Sequence, residues 1–595
     1  MYRQGTFAAI IVCLAMPANA LDRLEFQVTG GAEDVAQALR SASLLLRAQN
    51  EDETDAQDLF TAARAEYSQL LGALYAQGYY SGVIQILVDG REAAGIPALD
   101  APSQIREITV TVTPGPAFSF ARAQAAPLAA GTTLPEGFAV SQPAKSGVIS
   151  EAASAAVEGW RVIGHAKADL TGQTITADHR AATLSADLQI QPGPKLRFGA
   201  LTVTGNERMR LNRVKAIAGL PEGEVFDPKE AEAAAERLRR SGVFRSVSLV
   251  EDADITSPDL LGFTAKVAEE KTRRYGYGAE IASSEGAEIS AYWLHRNVFG
   301  GAERLRLEAT VSEIGAQNSA ADYALGVTLE RPATLSRDTT GTFEFRVEQE
   351  NDESFTEDSA QIGIGFSHYF SEKLTARAGL EFAFFQLSTS AGMTDFQLLS
   401  LPVGAIWDNR NSKTDATSGV YLDGEVAPYV GFGGTESGVR ISLDARTYRG
   451  FGENDKFTIA VRGQANAVLG PGINNVPSEF LTFSGGGGTV RGQPFESLSF
   501  PLGADDAEIG GTGFLGASIE LRARLTKTIG VVGFADFGQI ASDGLFGGQT
   551  KSHAGAGIGL RYATGLGPIR LDVGGPISGD TGGGVQIYIG IGQAF

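Results

Sequence analysis

At 595 residues, with 75 glycines, 8% aromatic residues and a mean hydropathy of -0.04, the chain holds several domains and is too polar for a bundle of membrane helices. A β-barrel escapes that exclusion, because lipid-facing residues alternate along its strands with polar ones and the two average out. The formal net charge of -21 argues against nucleic acid as a partner.

Residues 1–20 carry a lone Arg3, an apolar stretch from Phe7 to Met16 and the small-residue end Ala18-Asn-Ala20, the order of a secretory signal peptide. The alternative, an uncleaved anchor, needs about 20 apolar residues to span a bilayer, and this stretch is half that. Cys13 is the one cysteine, and the bulky Val12 before it does not suit a lipoprotein cleavage site. The mature chain is therefore expected to lack disulfides and thiol chemistry. Loss of Arg3 leaves 48 basic against 70 acidic residues, a net charge of -22.

From Leu21 to about Glu270 the pattern mixes helix and strand, and it repeats. Val112-Thr-Pro-Gly-Pro-Ala-Phe118 is echoed by Ile190-Gln-Pro-Gly-Pro-Lys-Leu196 and more faintly by Val267-Ala-Glu-Glu-Lys-Thr-Arg273, with a period of 78 residues both times when aligned on Pro114, Pro192 and Glu270. In each unit a helix runs into a glycine suited to the left-handed cap position, at Gly78, Gly164 and Gly242. The third unit is the clearest, with helices expected over Leu211 to Ala218 and Pro228 to Arg240, the second entered through Asp227. The pattern predicts three β-α-α-β-β modules, which offer sheet edges to an extended partner or serve as spacers.

Beyond Arg274 alternation replaces helical periodicity. Leu305, Leu307, Ala309 and Val311 alternate with Arg304, Arg306, Glu308 and Thr310; Phe343, Phe345 and Val347 alternate with Glu344, Arg346 and Glu348. Such strands suit a soluble sandwich or a membrane barrel. Roughly 320 residues at about 20 per strand and connection give about 16 strands, the even number of a single-chain barrel. Arg440, Asp444, Arg462, Glu520, Arg522, Arg570 and Asp572 would line a wet, internally paired lumen. Between two strands lies Phe480-Leu-Thr-Phe-Ser-Gly-Gly-Gly-Gly-Thr-Val490-Arg-Gly492-Gln-Pro494, whose four glycines mark a loop. The last eleven residues, Val585 to Phe595, predict one closing strand with Val585, Ile587, Ile589, Ile591 and Phe595 on its apolar face.

No catalytic constellation is present in the sequence. The five histidines, His165, His179, His295, His368 and His553, have no ligand spacing, so no metal or other cofactor is expected. Gly485 to Gly488 lacks the Lys and Ser/Thr of a phosphate loop. Asp505 and Asp506 suit a solvated loop or a divalent cation at the surface. Nothing pairs a nucleophile with a base, and no enzyme activity is predicted.

The repeats resemble polypeptide-transport-associated (POTRA) modules, and the Val490-Arg491-Gly492 loop resembles that of the BamA/TamA outer-membrane insertase superfamily. His295-Arg-Asn-Val-Phe-Gly-Gly-Ala-Glu303, Gly510 to Leu521, Gly533-Phe-Ala-Asp-Phe-Gly538 and Gly565 to Asp572 carry the same resemblance. It implies a signal peptide over 1–20, three POTRA-like modules over 21–116, 117–194 and 195–272, and an antiparallel transmembrane barrel over 273–595. It also implies that Arg491 pairs with an acidic residue of the inner wall, Asp536 or Glu520, as a mechanistic or a plainly structural pair. Gln493 stands where the family has an aromatic residue.

Three modules point within the superfamily to the TamA branch. The implied function is insertion or secretion of client proteins such as autotransporters through a lateral seam between the first strand, near Tyr277 to Ser283, and the last. There Gly590 and Gly592 would weaken pairing and Phe595 would end the wall. The implied partners are an inner-membrane-anchored TamB-like protein, unfolded outer-membrane clients and outer-membrane lipid. The rival readings are a two-partner secretion pore and a passive outer-membrane channel.

Overall fold

The computed structural model describes residues 23–595 apart from 52–54, 257, 283–285, 317–319, 353–354, 391, 502–507, 566, 583 and 594. The expected signal peptide, Asp505-Asp506 and Ser283 lie outside the described residues.

Three small sheets precede the barrel. In the first, Glu107–Thr113 runs parallel to Arg23–Val28 and antiparallel to Val83–Val88. Its alternation buries Ile108, Val110 and Val112 against Leu59, Phe60, Leu70 and Leu74 of the helix Ala56–Ala76. That helix starts at Asp55, whose carboxylate accepts from the amides of Gln57 and Asp58 at 2.8 and 3.1 Å. In the second sheet Thr183–Gln191 lies between Ser119–Ala126 and the edge strand Asp169–Asp178. The third pairs Arg197–Thr204 with Leu260–Glu269, which pairs with Phe244–Thr256.

The helix count differs from the expected repeat in two of the three modules. Among the described residues the third has the two expected helices at Leu211–Ala218 and Pro228–Arg240, while the first has three α-helices and the second one, Ser146–Val162. The segment ahead of that helix carries Pro127, Gly131, Pro135, Gly137 and Pro143, which deny it an uninterrupted helical turn. The cap glycines are as expected: Gly78, Gly164 and Gly242 have φ of +85°, +103° and +69°.

From Arg273 onward the strands form one closed antiparallel barrel. Gly392–Ser400 and Val403–Asp408 pair with successive parts of the same two neighbours, so they are halves of one strand interrupted at Pro402. With these joined, the described wall has sixteen strands. Leu307, Leu325, Phe345, Ile364, Ile519 and Ile558 point outward and are exposed. The opposite faces carry ion pairs such as Asp444 with Arg446 and Arg462, at 2.6 and 2.8 Å. Oily outside and charged inside is the polarity of a wall in lipid rather than of a sandwich in water.

The two helices of the third module meet a turn at the near end of the barrel. The guanidiniums of Arg237 and Arg240 donate to one oxygen of Asp338 at 3.0 and 2.9 Å. Arg213 donates to the Pro332 carbonyl at 2.6 Å, and Arg337 to the Gly219 carbonyl at 2.9 Å. Arg240 also lies over the Tyr369 ring, 3.4 Å from its centre. Burial disfavours the Asp338 carboxylate, but the two arginines outweigh it and hold its pKa below the usual aspartate value.

A depressed carboxyl pKa stabilises above the unfolded value and is lost as pH falls through the folded one. The junction is therefore expected to be firm at neutral pH and to loosen in acid below about 3.9, the ordinary aspartate pKa. Asp338→Asn should loosen it at neutral pH by about 2–3 kcal/mol. Hydrogen exchange of the helices Leu211–Ala218 and Pro228–Arg240 in the intact chain measures it, and unchanged exchange would show that Asp338 holds nothing.

Candidate functional site: the lumen loop and the barrel seam

Residues 470–512 connect the strands Phe457–Leu469 and Gly513–Arg524, and the described ones, 470–501 and 508–512, fold back among the inward-facing side chains. Phe480, Leu481, Leu498, Phe500 and Ile509 of the loop pack on Phe355, Phe385, Phe396, Leu398, Tyr429, Phe514 and Ile540 of the wall. An apolar patch inside an otherwise charged barrel drives this segment inward, because its aromatic residues would otherwise face water.

At the tip of the loop Arg491 is 3% exposed. Its guanidinium takes Asp536 through two nitrogens, at 2.8 and 3.1 Å, and reaches Glu520 at 2.6 Å and Asp572 at 3.1 Å. Its backbone amide donates to Asp536 at 3.1 Å, and the Phe534 ring lies 3.8 Å beneath the guanidinium carbon. Both acidic residues expected from the sequence thus meet Arg491, and Asp572 is a third. Arg522 joins through Glu520 at 2.8 Å, and Arg561 is paired with Asp572. Three arginines and three carboxylates make a neutral, buried set in which each charge has a partner. The inward parity of Glu520 with Arg522 and of Arg570 with Asp572 was the sequence signal for this ring. Arg561 gave no comparable signal.

The flanking residues fit the backbone to the wall. Val490 is fully buried. Gly492 has φ +91°, and a Cβ there would lie 2.7 Å from the backbone of Gly575, so both the conformation and the approach demand glycine. Across the contact, a Cβ on Gly555 would sit 2.1 Å from the Arg491 carbonyl, and one on Gly538 2.4 Å from the Ser484 hydroxyl. The wall is hollowed by glycine where the loop lies on it. Gly492 donates its amide to the Tyr588 hydroxyl at 3.1 Å, tying the tip to the last strand. Gln493, where the family that the loop resembles has an aromatic residue, is fully buried and donates to the carbonyls of Ala554 and Ser578 at 2.6 and 2.9 Å. A stacking contact is replaced by an amide that satisfies strand carbonyls.

The closing strand is shorter than expected. It spans Gln586–Ile591, with Ile587, Ile589 and Ile591 outward and Tyr588 inward as the alternation requires. Gly592, assigned to this strand by its sequence pattern, lies beyond it with φ +97° and turns the chain into the lumen. The parity of the remaining residues is thereby lost. Phe595, expected on the lipid face, is 7% exposed among Ala416, Tyr448 and Ala460, and its carbonyl accepts from Arg522 at 2.9 Å. Gln593 bridges Arg561 and Asp415 at 2.7 and 3.0 Å.

The seam follows from that shortening. The first strand, Arg273–Ala282, pairs with its other neighbour along its whole length, but among the described residues it meets the last strand at Ile281↔Ile589 and Ala282↔Tyr588 and not from Arg273 to Glu280. Tyr277, 84% exposed, stands on the unpaired stretch and does not meet the last strand. Gly590 faces a pair that spans the seam, Arg570 to Glu280 at 2.6 Å.

Arg491→Ala strands a net negative charge among three buried carboxylates, and losing one partner of such a set costs about 3–5 kcal/mol. The loop is expected to undock, so that protease cleaves within 470–512 while the strands stay protected. Arg491→Lys should restore little, because an ammonium cannot make the two-nitrogen contact with Asp536. Equal protease resistance of all three proteins would show that the ring does not hold the loop.

Two families match the chain: an Omp85 superfamily domain over residues 297–595, and a POTRA family described as a surface antigen variable number repeat over 196–269. Among solved structures the chain resembles BamA from Haemophilus ducreyi lacking POTRA domains 1–3, with a TM-score of 0.62 at 16% identity, covering 80% of this chain and all of that one. It also resembles CdiB from Acinetobacter baumannii, with a TM-score of 0.52 at 13% identity over 80% of this chain and 90% of that one. At such identities the likeness is one of fold. The matched domain takes in half the chain and nearly all of the barrel, and the protein belongs to the Omp85 superfamily, an outer-membrane barrel with periplasmic POTRA modules ahead of it.

Proposed function

We propose that this protein assembles client proteins, autotransporters among them, into or across the outer membrane by way of the seam between its first and last strands. The observation that carries the reading is the seam, where among the described residues the first strand leaves most of its length unpaired with the last. It leaves Arg273 to Glu280 with hydrogen-bonding groups on one side unmatched by the last strand, a ready edge for an incoming strand. The POTRA modules offer further edges, such as Asp169–Asp178, on which an extended client segment would be held before transfer.

Within the superfamily the reading is closest to TamA, with an inner-membrane-anchored TamB-like protein as the periplasmic partner and outer-membrane lipid as a second cargo. No chemistry on a substrate is part of it; strand exchange and loop movement do the work. The ring around Arg491 holds the loop against the wall that ends in the last strand, so loop and seam act as one unit. A passive channel is the poorer reading, since the apolar loop packing occupies the lumen. The two-partner secretion pore differs in exporting one dedicated substrate, and a gene for an exported adhesin beside this one would favour it.

Cysteines replacing Ile281 and Ile589, which are register partners, allow the seam to be locked by a disulfide. Oxidised protein is expected to lose client assembly and to recover it on reduction. Full assembly with the seam locked would reject passage through it.

A further inference from the structure

We propose that Arg570 and Glu280 form a latch across the seam, positioned by Gly590, which sets how readily the barrel opens. The inference deepens the seam reading and rests on it for its functional consequence, although the latch is testable by itself.

The register places the three residues in one row. Arg570 is the partner of Gly590 in the pairing of Ile569–Ser578 with the last strand. Continuing the seam register from Ile281↔Ile589 by one step puts Glu280 opposite Gly590. The backbone ladder stops just before that step. The Arg570 side chain therefore crosses over the last strand, and its terminal nitrogen donates to Glu280 at 2.6 Å. Strands two apart in a sheet are separated by about 9.5 Å, a gap that only a long cation and a long acid close.

Gly590 makes this crossing possible. A Cβ there would lie 3.0 Å from the Arg570 Nε and 3.2 Å from the Glu280 carboxylate, in the path between them. The residue that would weaken a seam by lacking a side chain instead makes room for the ion pair that holds it. Among the described residues Arg570 to Glu280 is the ion pair that joins the last strands of the barrel to the first.

The latch is also placed to release. Beside it lies a lumen cavity of about 420 Å³, lined in part by Glu280, Glu288, Glu313, Arg462 and Arg570. The Glu280 side chain is half exposed, and the Arg570 Nε is buried without a partner. Arg570 is thus incompletely satisfied where it is, beside other carboxylates it can turn to. An ion pair open to water on one side is weakened by salt, unlike the enclosed ring around Arg491.

The test uses the full chain with Ile281→Cys and Ile589→Cys, and reads the rate of disulfide formation as the closed fraction of the seam. Glu280→Gln and Arg570→Gln should each lower that rate several-fold and abolish its dependence on salt. The swap Glu280→Arg with Arg570→Glu should restore both, and Gly590→Val should behave like the single charge losses. Unchanged rates in the single variants overturn the latch. Lowered rates that the swap does not restore overturn it as well, since they report damage to the strands. Client assembly in the same variants separates the two proposals: rates that follow the latch while assembly is indifferent keep the latch and reject the gate.

Discussion

The guanidinium of Arg491, enclosed by Asp536, Glu520 and Asp572, is the contact on which the rest of the barrel's interior is arranged. A charge removed from water is tolerated only where its partners are in place, and here they come from three different strands of the wall. The loop tip is thereby fixed to the C-terminal third of the barrel, while its apolar residues pack on the earlier strands that carry Phe355, Phe385 and Tyr429. The glycine hollows of the wall are matched to the tip, where a Cβ on Gly492 would lie 2.7 Å from the backbone of Gly575.

The seam has the opposite character. Among the described residues its two strands share two residue pairs, and the cross-seam ion pair has one partner half in water. The molecule therefore has a tightly enclosed charge cluster on one side of the last strand and a sparse, solvated closure on the other, with Tyr588 and Gly590 on that strand touching each. On the proposed seam reading, a strain applied to the last strand would be resisted by the cluster and yield at the seam, so that the barrel would open along one line without losing the shape of its wall.

The alternation of Leu305 to Val311 and of Phe343 to Val347 made the strands legible, because a two-residue period marks an extended backbone with two unlike faces, and the strand count of about 16 pointed from sandwich to barrel. The helix Pro228–Arg240 was legible from Asp227 ahead of it and Gly242 after it. Arg491 and its acidic partners Asp536 and Glu520 were legible through resemblance and parity together. Phe595 was misread for a physical reason: parity carries along a strand only while the backbone stays extended, and Gly592 at φ +97° ends that condition four residues early. The role of Gly590 was hidden because a missing side chain states nothing about which neighbours fill its space. The helix count of the second module fell to prolines and glycines that a repeat period does not register.

The long separations within the loop's contacts set an order of events during the protein's own assembly. Arg491 is made 81 residues before Asp572, and Gly492 is made 96 before Tyr588. Until the strands that carry Asp572 and Tyr588 are in place, the surface on which the loop lies is incomplete. Full docking of the loop therefore requires the finished wall. A barrel in which the Val490-Arg491-Gly492 tip has reached Tyr588 is one whose last strand is already in place, and the loop serves as a built-in register of closure.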